Sequence, residues 1–275
     1  MQLEALLNYP RALPAMSRTV SDLLAEMNKE DPSPRRVAGL ISQDPALTTR
    51  VLRLSNSAFF RASRQIGSAD EAVALLGMTH VRSLVMAAAL GSSFKNVPGV
   101  DMRQFWRYSL RVADISRSLA GLLRQNDGNA FTAGLVHAIG DLIMHIAMPD
   151  IIGPIDMGTP PLDLRRADAE RAVLGYTYAE VGAGMAEKWQ FPPDIVSALA
   201  HQVAPFDGDT YDALGGVLHL ASWRARAEEI QLDENGLVST FPDMVGLTLG
   251  LDVDSVLGKD PTEWSFSQAL GAFID

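Results

Sequence analysis

Helix-start signals recur at short intervals along this chain while strand signals are nearly absent, and that imbalance constrains the fold more than any other feature. Ser17 is placed to cap a helix through Met27, with Val20, Leu23, Leu24 and Met27 on one apolar face. Ser33-Pro34 and Asp44-Pro45 each put a proline at the first helical position, where its missing N–H is not needed. The first of these helices ends near Ser42, and the second carries the stripe Leu47, Val51, Leu54. Ser68 and Glu71 form a capping box, Gly77 is placed to end the helix they open, and Thr79 opens the next, to about Phe94.

Asp101 then caps a long helix reaching about Arg124. AFTAGLVHAIGDLIMHIAM reads as a helical pair with Gly140 between the halves. A helix over 165–174 stops at Gly175, and Thr177 with Glu180 makes a second capping box. Pro192-Pro193 leads into a helix to His201, and 211–229 reads as one more long helix. GLVSTF, 236–241, is the one alternating strand candidate. Segments 156–163 and 203–210 read as ordinary surface connections. The fold class is all-α.

The chain's 275 residues suffice for one large or two modest domains, and 47% apolar with 20% charged residues places it among globular chains. A net charge of -10 argues against a whole-chain grip on nucleic acid or an anionic membrane. That charge is uneven: residues 1–100 carry a net +3 and residues 101–275 a net −13. With GSSFKNVPGVD, 91–101, at the change of sign, the chain divides into 1–98, 99–230 and a C-terminal extension, 231–275. Cysteine is absent, which removes disulfides, thiolate nucleophiles and Cys-type metal sites. No unbroken apolar run approaches the ~20 residues of a membrane span, and the N-terminus lacks a basic leader followed by an apolar stretch. A cytoplasmic protein is expected.

Phosphate-binding Gly-rich loops, nucleophile elbows and zinc-protease motifs are missing. Gly182 and Gly184 read as close helix packing, and His80 and His219 as structural. His137 and His145, with Asp141 four residues after the first, leave two readings open. They converge on a divalent metal if the helix is continuous, or His137 faces the core and donates to backbone while Asp141 caps a new helix.

Several long segments carry a resemblance. LPAM (Leu13 to Met16), VAGLISQDPALTTRVLRLSNSAFF (Val37 to Phe60), EAVALLGMTHVRSLV (Glu71 to Val85), QFWRYSLRVA (Gln104 to Ala113), AGLVHAIGDLIM (Ala133 to Met144) and YAEVGAGMAEKWQFPPDIVSALAHQ (Tyr178 to Gln202) follow one another in the order of the HDOD family. The chain resembles that family over roughly residues 6–225. The resemblance implies helical output domains of bacterial signalling proteins, related to HD-type metal phosphohydrolases, with two helical subdomains of which the second is a degenerate HD-type unit. In catalytic relatives histidines and aspartates hold one or two divalent metals. Here the long-helix histidine aligns with Tyr108, the His-Asp pair with His137-Ala138, a later histidine with Tyr178 and the late aspartate with Ser222, while His201 remains. Two imidazoles without the bridging carboxylate hold a hard cation poorly. No metal, no cofactor and no catalytic residue is expected, and Tyr108 and Tyr178 are expected to fill the emptied cavity.

The leading functional expectation is therefore a non-catalytic signalling module that acts through protein contacts, with other signalling proteins as partners and oligomerisation open. The alternatives are a metal-dependent phosphohydrolase acting on a nucleotide, and a sensor that binds a small phosphorylated ligand without turning it over. Arg50, Arg53, Asn56, Phe59, Arg61 and Arg64 are the candidate ligand or partner contacts, because Arg50 and Arg53 share a helix face and guanidinium forks suit phosphate. Asn56-Ser57 reads equally as a helix stop. Near the C-terminus, Trp264, Phe266, Leu270 and Phe273 are expected on a last amphipathic helix packed on the second unit.

Overall fold

The caps foreseen above set the helix boundaries in the computed structural model, which describes residues 1–9, 17–57, 60, 62, 64–208 and 210–258. Sixteen helices and no strands form among the described residues. The first five are α1 (Leu3–Leu7), α2 (Arg18–Met27), α3 (Pro34–Ser42), α4 (Pro45–Ser55) and α5 (Ala69–Ser93). Ser17, Ser33 and Asp44 each accept hydrogen bonds from the first-turn backbone N–H groups that would otherwise go unpaired. Helix α5 is two helices joined at Gly77, whose φ of 74° takes the left-handed turn that a side chain would resist. Helices α2, α3 and α4 pack on α5 and bury Leu23, Val37, Ile41, Val51 and Leu54.

The second subdomain opens with α6 (Met102–Leu122), capped by Asp101, followed by α7 (Asp127–Val136), α8 (Ile139–Ala147), α9 (Pro149–Gly158) and α10 (Arg166–Leu174). Next come α11 (Tyr178–Lys188), α12 (Pro193–His201) and α13 (Ala213–Glu229), and the described chain ends with α14 (Glu234–Thr240), α15 (Asp243–Leu249) and α16 (Val253–Leu257). Helix α6 packs on α7 and α13, α11 packs on α8 and α12, and α5 meets α7 across the two subdomains. Helix α1 reaches over to α11, where Lys188 Nζ donates to Leu7 O at 2.8 Å. Helices α15 and α16 lie on α13.

Four sequence readings need correction. GLVSTF is not a strand: Asp233 accepts from Gly236 N at 2.7 Å and starts α14 there, so a local cap overrides a short alternating pattern. The break between α7 and α8 falls at His137-Ala138, not at Gly140, and Asp141 is a side chain of the first turn of α8, not its cap. Residues 156–158 belong to α9. Two stretches, Ala69–Ser93 and Asp127–Ala147, are long and apolar enough to cross a membrane, with mean hydropathies of 1.6 and 1.4. Most of each is buried inside the protein, so core packing already accounts for its composition. The expected C-terminal helix around Trp264, and the LPAM segment, lie outside the described residues.

Gly140 has a different role from the expected one. A Cβ built there would lie 2.0 Å from Tyr178 O and 2.7 Å from Gly182 N, so α8 and α11 touch backbone to backbone. Gly184 packs similarly against the Leu7 side chain, whereas a Cβ at Gly182 would meet nothing closer than 3.6 Å. Gly140→Ala is therefore expected to destabilise the chain by about 3 kcal/mol or more in urea denaturation. Gly182→Ala, on the facing helix, should change stability little, and equal losses in the two variants would contradict the close approach at Gly140.

Candidate functional site

Six helices supply the positions singled out in the second subdomain. Tyr108 comes from the middle of α6, His137 and Ala138 from the α7–α8 junction, Tyr178 from the first position of α11, His201 from the last position of α12 and Ser222 from α13. Tyr108, His137 and Tyr178 are buried, and the Tyr108 and His137 rings meet edge to face at 4.9 Å. One of the expected group does not join the centre: His201 is directed to the Ser197 carbonyl at 2.9 Å, with Asp212 Oδ2 3.8 Å away. Ser222 does join it, hydrogen-bonding the Tyr108 side chain as well as donating to His219 O at 3.4 Å.

The residue that organises the centre is Arg226, one helical turn beyond Ser222 and on the same face of α13. Its Nε donates to the Tyr108 hydroxyl at 3.0 Å and its Nη2 to the Tyr178 hydroxyl at 2.9 Å. The guanidinium also lies over the Tyr178 ring, 5.8 Å from its centroid. Arg226 is 7% exposed. Burial opposes its charge, yet the two phenol oxygens hold it firmly protonated, and burial pushes the Tyr178 phenol up to about 12. Both tyrosines are thus neutral acceptors at neutral pH.

A second buried arginine anchors the neighbouring wall. Arg166, 1% exposed, donates to Glu170 at 2.7 Å, to Asp156 at 2.6 Å, to the Thr159 carbonyl at 2.7 Å and to Asp141 at 3.3 Å. Glu170 in turn accepts from Tyr178 N at 2.7 Å, which ties α10 to the start of α11. His145 donates through one ring nitrogen to Asp141 O at 2.8 Å and through the other to Asp156 at 2.9 Å. Burial works against its charge, but Asp141 and Asp156 outweigh it and hold the imidazole above its ordinary value. Asp141 and His145 therefore do meet, but as partners in this arginine-centred network, and His137 takes no part in it.

The fit to a metal fails on these residues. His137 donates its Nδ1 proton to Gly134 O at 2.8 Å, as the core-histidine reading anticipated, and its buried Nε2 has no hydrogen-bond partner. Ala138 offers no side-chain ligand, Tyr108 and Tyr178 are committed to Arg226, and among the described residues no group of three His, Asp or Glu side chains is placed to hold a metal ion. A fixed guanidinium occupies the centre instead.

Comparison with known proteins agrees with this architecture. The HDOD domain model matches residues 13–205. The chain belongs to the HDOD family. Among solved structures, a Shewanella amazonensis SB2B protein provisionally assigned as a phosphohydrolase superposes with a TM-score of 0.80 at 29% identity, covering 99% of this chain and 98% of that one. A Marinobacter aquaeolei VT8 protein provisionally assigned to signal transduction gives a TM-score of 0.72 at 21% identity, covering 100% and 61%. An uncharacterized Treponema pallidum (strain Nichols) protein is 22% identical over 226 residues, covering 78% of this chain and 42% of its own length. The chain spans less than half the length of the curated relatives it matches.

In the first subdomain of this HDOD chain, Arg50 donates to Ala88 O at 3.2 Å and Arg64 pairs with Glu71 at 2.7 Å. Asn56 joins Ile66 through both amide atoms, at 2.8 and 2.9 Å, so the helix-stop reading describes its role in the fold. Arg53 is exposed, and Phe59 and Arg61 lie outside the described residues. Arg226 and Arg166 escaped the sequence reading because arginine ordinarily reads as surface. The available signals were the i, i+4 spacing of Ser222 to Arg226 and of Arg166 to Glu170.

Burial holds His137 down to about 3, so the folded chain refuses a proton that the unfolded chain accepts. Its contribution is complete above the unfolded value of about 6.5 and is lost at about 1.4 kcal/mol per pH unit as pH falls toward the folded value. Urea denaturation across that window should show the slope in the native chain and its reduction by about one proton in His137→Asn, which keeps a donor for Gly134 O. Identical slopes would show that His137 is not held neutral.

Proposed function

We propose that this HDOD chain is a regulatory module that transmits information through protein contacts and carries out no metal-dependent phosphoester hydrolysis. One observation carries the reading: the positions at which the resemblance places metal ligands hold Tyr108, Ala138, Tyr178 and Ser222, with the Arg226 guanidinium bound between the two tyrosines. A hard divalent cation needs oxygen donors, carboxylates above all, and is repelled by a fixed cation in the same space. The Shewanella relative's hydrolase assignment is a statement about that protein, and the ligand substitutions here keep it from being carried over.

The module's partners are other signalling proteins, and its place is the cytoplasm. Its working units are residues 1–98 and 99–230, with 231–275 as an extension packed on the second. The α4 face and the segment after it, carrying Arg50, Arg53, Asn56 and Arg64, is the surface proposed for partner contact. Its support is the positive balance of the first 100 residues, set against an acidic remainder.

Purified full chain, supplied in turn with magnesium, manganese and iron(II), should release no product above the blank from cyclic dinucleotides or nucleotide phosphates. Turnover that His137→Ala abolishes would overturn the reading.

A further inference from the structure

Arg226 poses an electrostatic problem that the fold leaves open. The carboxylates nearby, buried Asp141 and Glu170 and half-buried Asp156, are hydrogen-bonded to Arg166 and His145. Among the described residues Arg226 bonds two neutral phenols and, at 3.5 Å, the Asp163 carbonyl, and no carboxylate bonds it directly, although Asp141 and Asp163 lie within reach of its charge. A buried cation with no directly bonded carboxylate is costly, and a ligand of opposite charge would offset that cost.

Arg226 also lines a cavity of about 210 Å³. Its inner wall is Tyr108, Ala138, Asp141, Arg166, Tyr178 and Arg226, all buried, and its mouth is formed by Gly99, Asp101 and Gln104, all exposed. Phe105, Val100 and Leu162 supply apolar wall between the two. Liquid water occupies about 30 Å³ per molecule, so the space equals roughly seven waters. It is smaller than the pockets of about 300 Å³ and upward that enclose drug-sized ligands. A small metabolite matches that volume, and a whole nucleotide exceeds it.

We propose that this cavity binds a small oxyanion, a carboxylate or a phosphate monoester, carrying a hydroxyl on its short carbon body. The guanidinium of Arg226 takes the oxyanion, since a planar fork suits both groups. Asp141, with one oxygen on Arg166, accepts from the ligand hydroxyl and sets the polarity of entry, and Gln104 closes over the mouth. The inference goes beyond the contact-module reading, because a bound metabolite would give such a module an input of its own.

Calorimetry and thermal melts of the full chain test it with three probes: inorganic phosphate, glycerol 3-phosphate and L-lactate, each against chloride at equal ionic strength. At least one probe should bind saturably with one-to-one stoichiometry and raise the melting temperature. Phosphate and glycerol 3-phosphate against lactate separate the two kinds of oxyanion. Arg226→Lys keeps the charge but loses the fork and should weaken binding at least tenfold, about 1.4 kcal/mol. Should that variant fold poorly, Gln104→Trp alters an exposed position with no internal role, leaves the melting temperature in place and should abolish binding by plugging the mouth. Flat titrations with all three probes, or affinity unchanged in Gln104→Trp, would overturn the proposal, and either result leaves the contact-module reading untouched.

Discussion

The second subdomain is built around a buried guanidinium. Arg226 extends from α13 to the hydroxyl of Tyr108 on α6 and to that of Tyr178 on α11, joining three helices distant in sequence at one point. Hydrogen bonds to a charged donor are among the stronger ones, at about 1.5–3 kcal/mol each, and leaving such a donor unpaired inside the protein costs more. The arrangement therefore fixes geometry as well as adding stability. Each tyrosine is needed by the arginine, and the arginine makes both phenols acceptable in a dry interior.

Around that point the packing allows little adjustment. Helices α8 and α11 approach backbone to backbone at Gly140, which brings Ala138 and Asp141 against the start of α11. Arg166 ties α8, α9 and α10 together through Asp141, Asp156 and Glu170, and Glu170 passes the constraint on to Tyr178 N. The position of the Tyr178 hydroxyl is thus set from behind by one arginine and met in front by another. An HD-type metal centre uses cations to draw its helices together. In this chain side-chain cations perform that structural task.

What was legible in the sequence is what is decided locally. Ser17, Ser33, Asp44, Ser68, Asp101 and Thr177 each accept from a backbone N–H two or three residues on, so their helix starts follow from spacing alone. Tyr108, His137, Ala138 and Tyr178, the positions the family's motifs single out, lie in one neighbourhood. Arg226 and Arg166 were not legible, because their burial depends on partners up to 118 residues away in the chain. Nor was the role of Gly140, which needs the register of α8 against α11. The strand assigned to GLVSTF failed for a smaller reason: Asp233, three residues before Gly236, is a cap, and it decided the segment.

The account rests on Arg226 being a buried, phenol-bound cation in the folded chain. The most direct measurement is hydrogen exchange of its Nε–H, followed by NMR with assignment through Arg226→Lys. The account predicts a resolved resonance at neutral pH with strong protection against exchange, because the Nε–H is held on the Tyr108 hydroxyl. Exchange as fast as in the exposed Arg18 or Arg165 would contradict it.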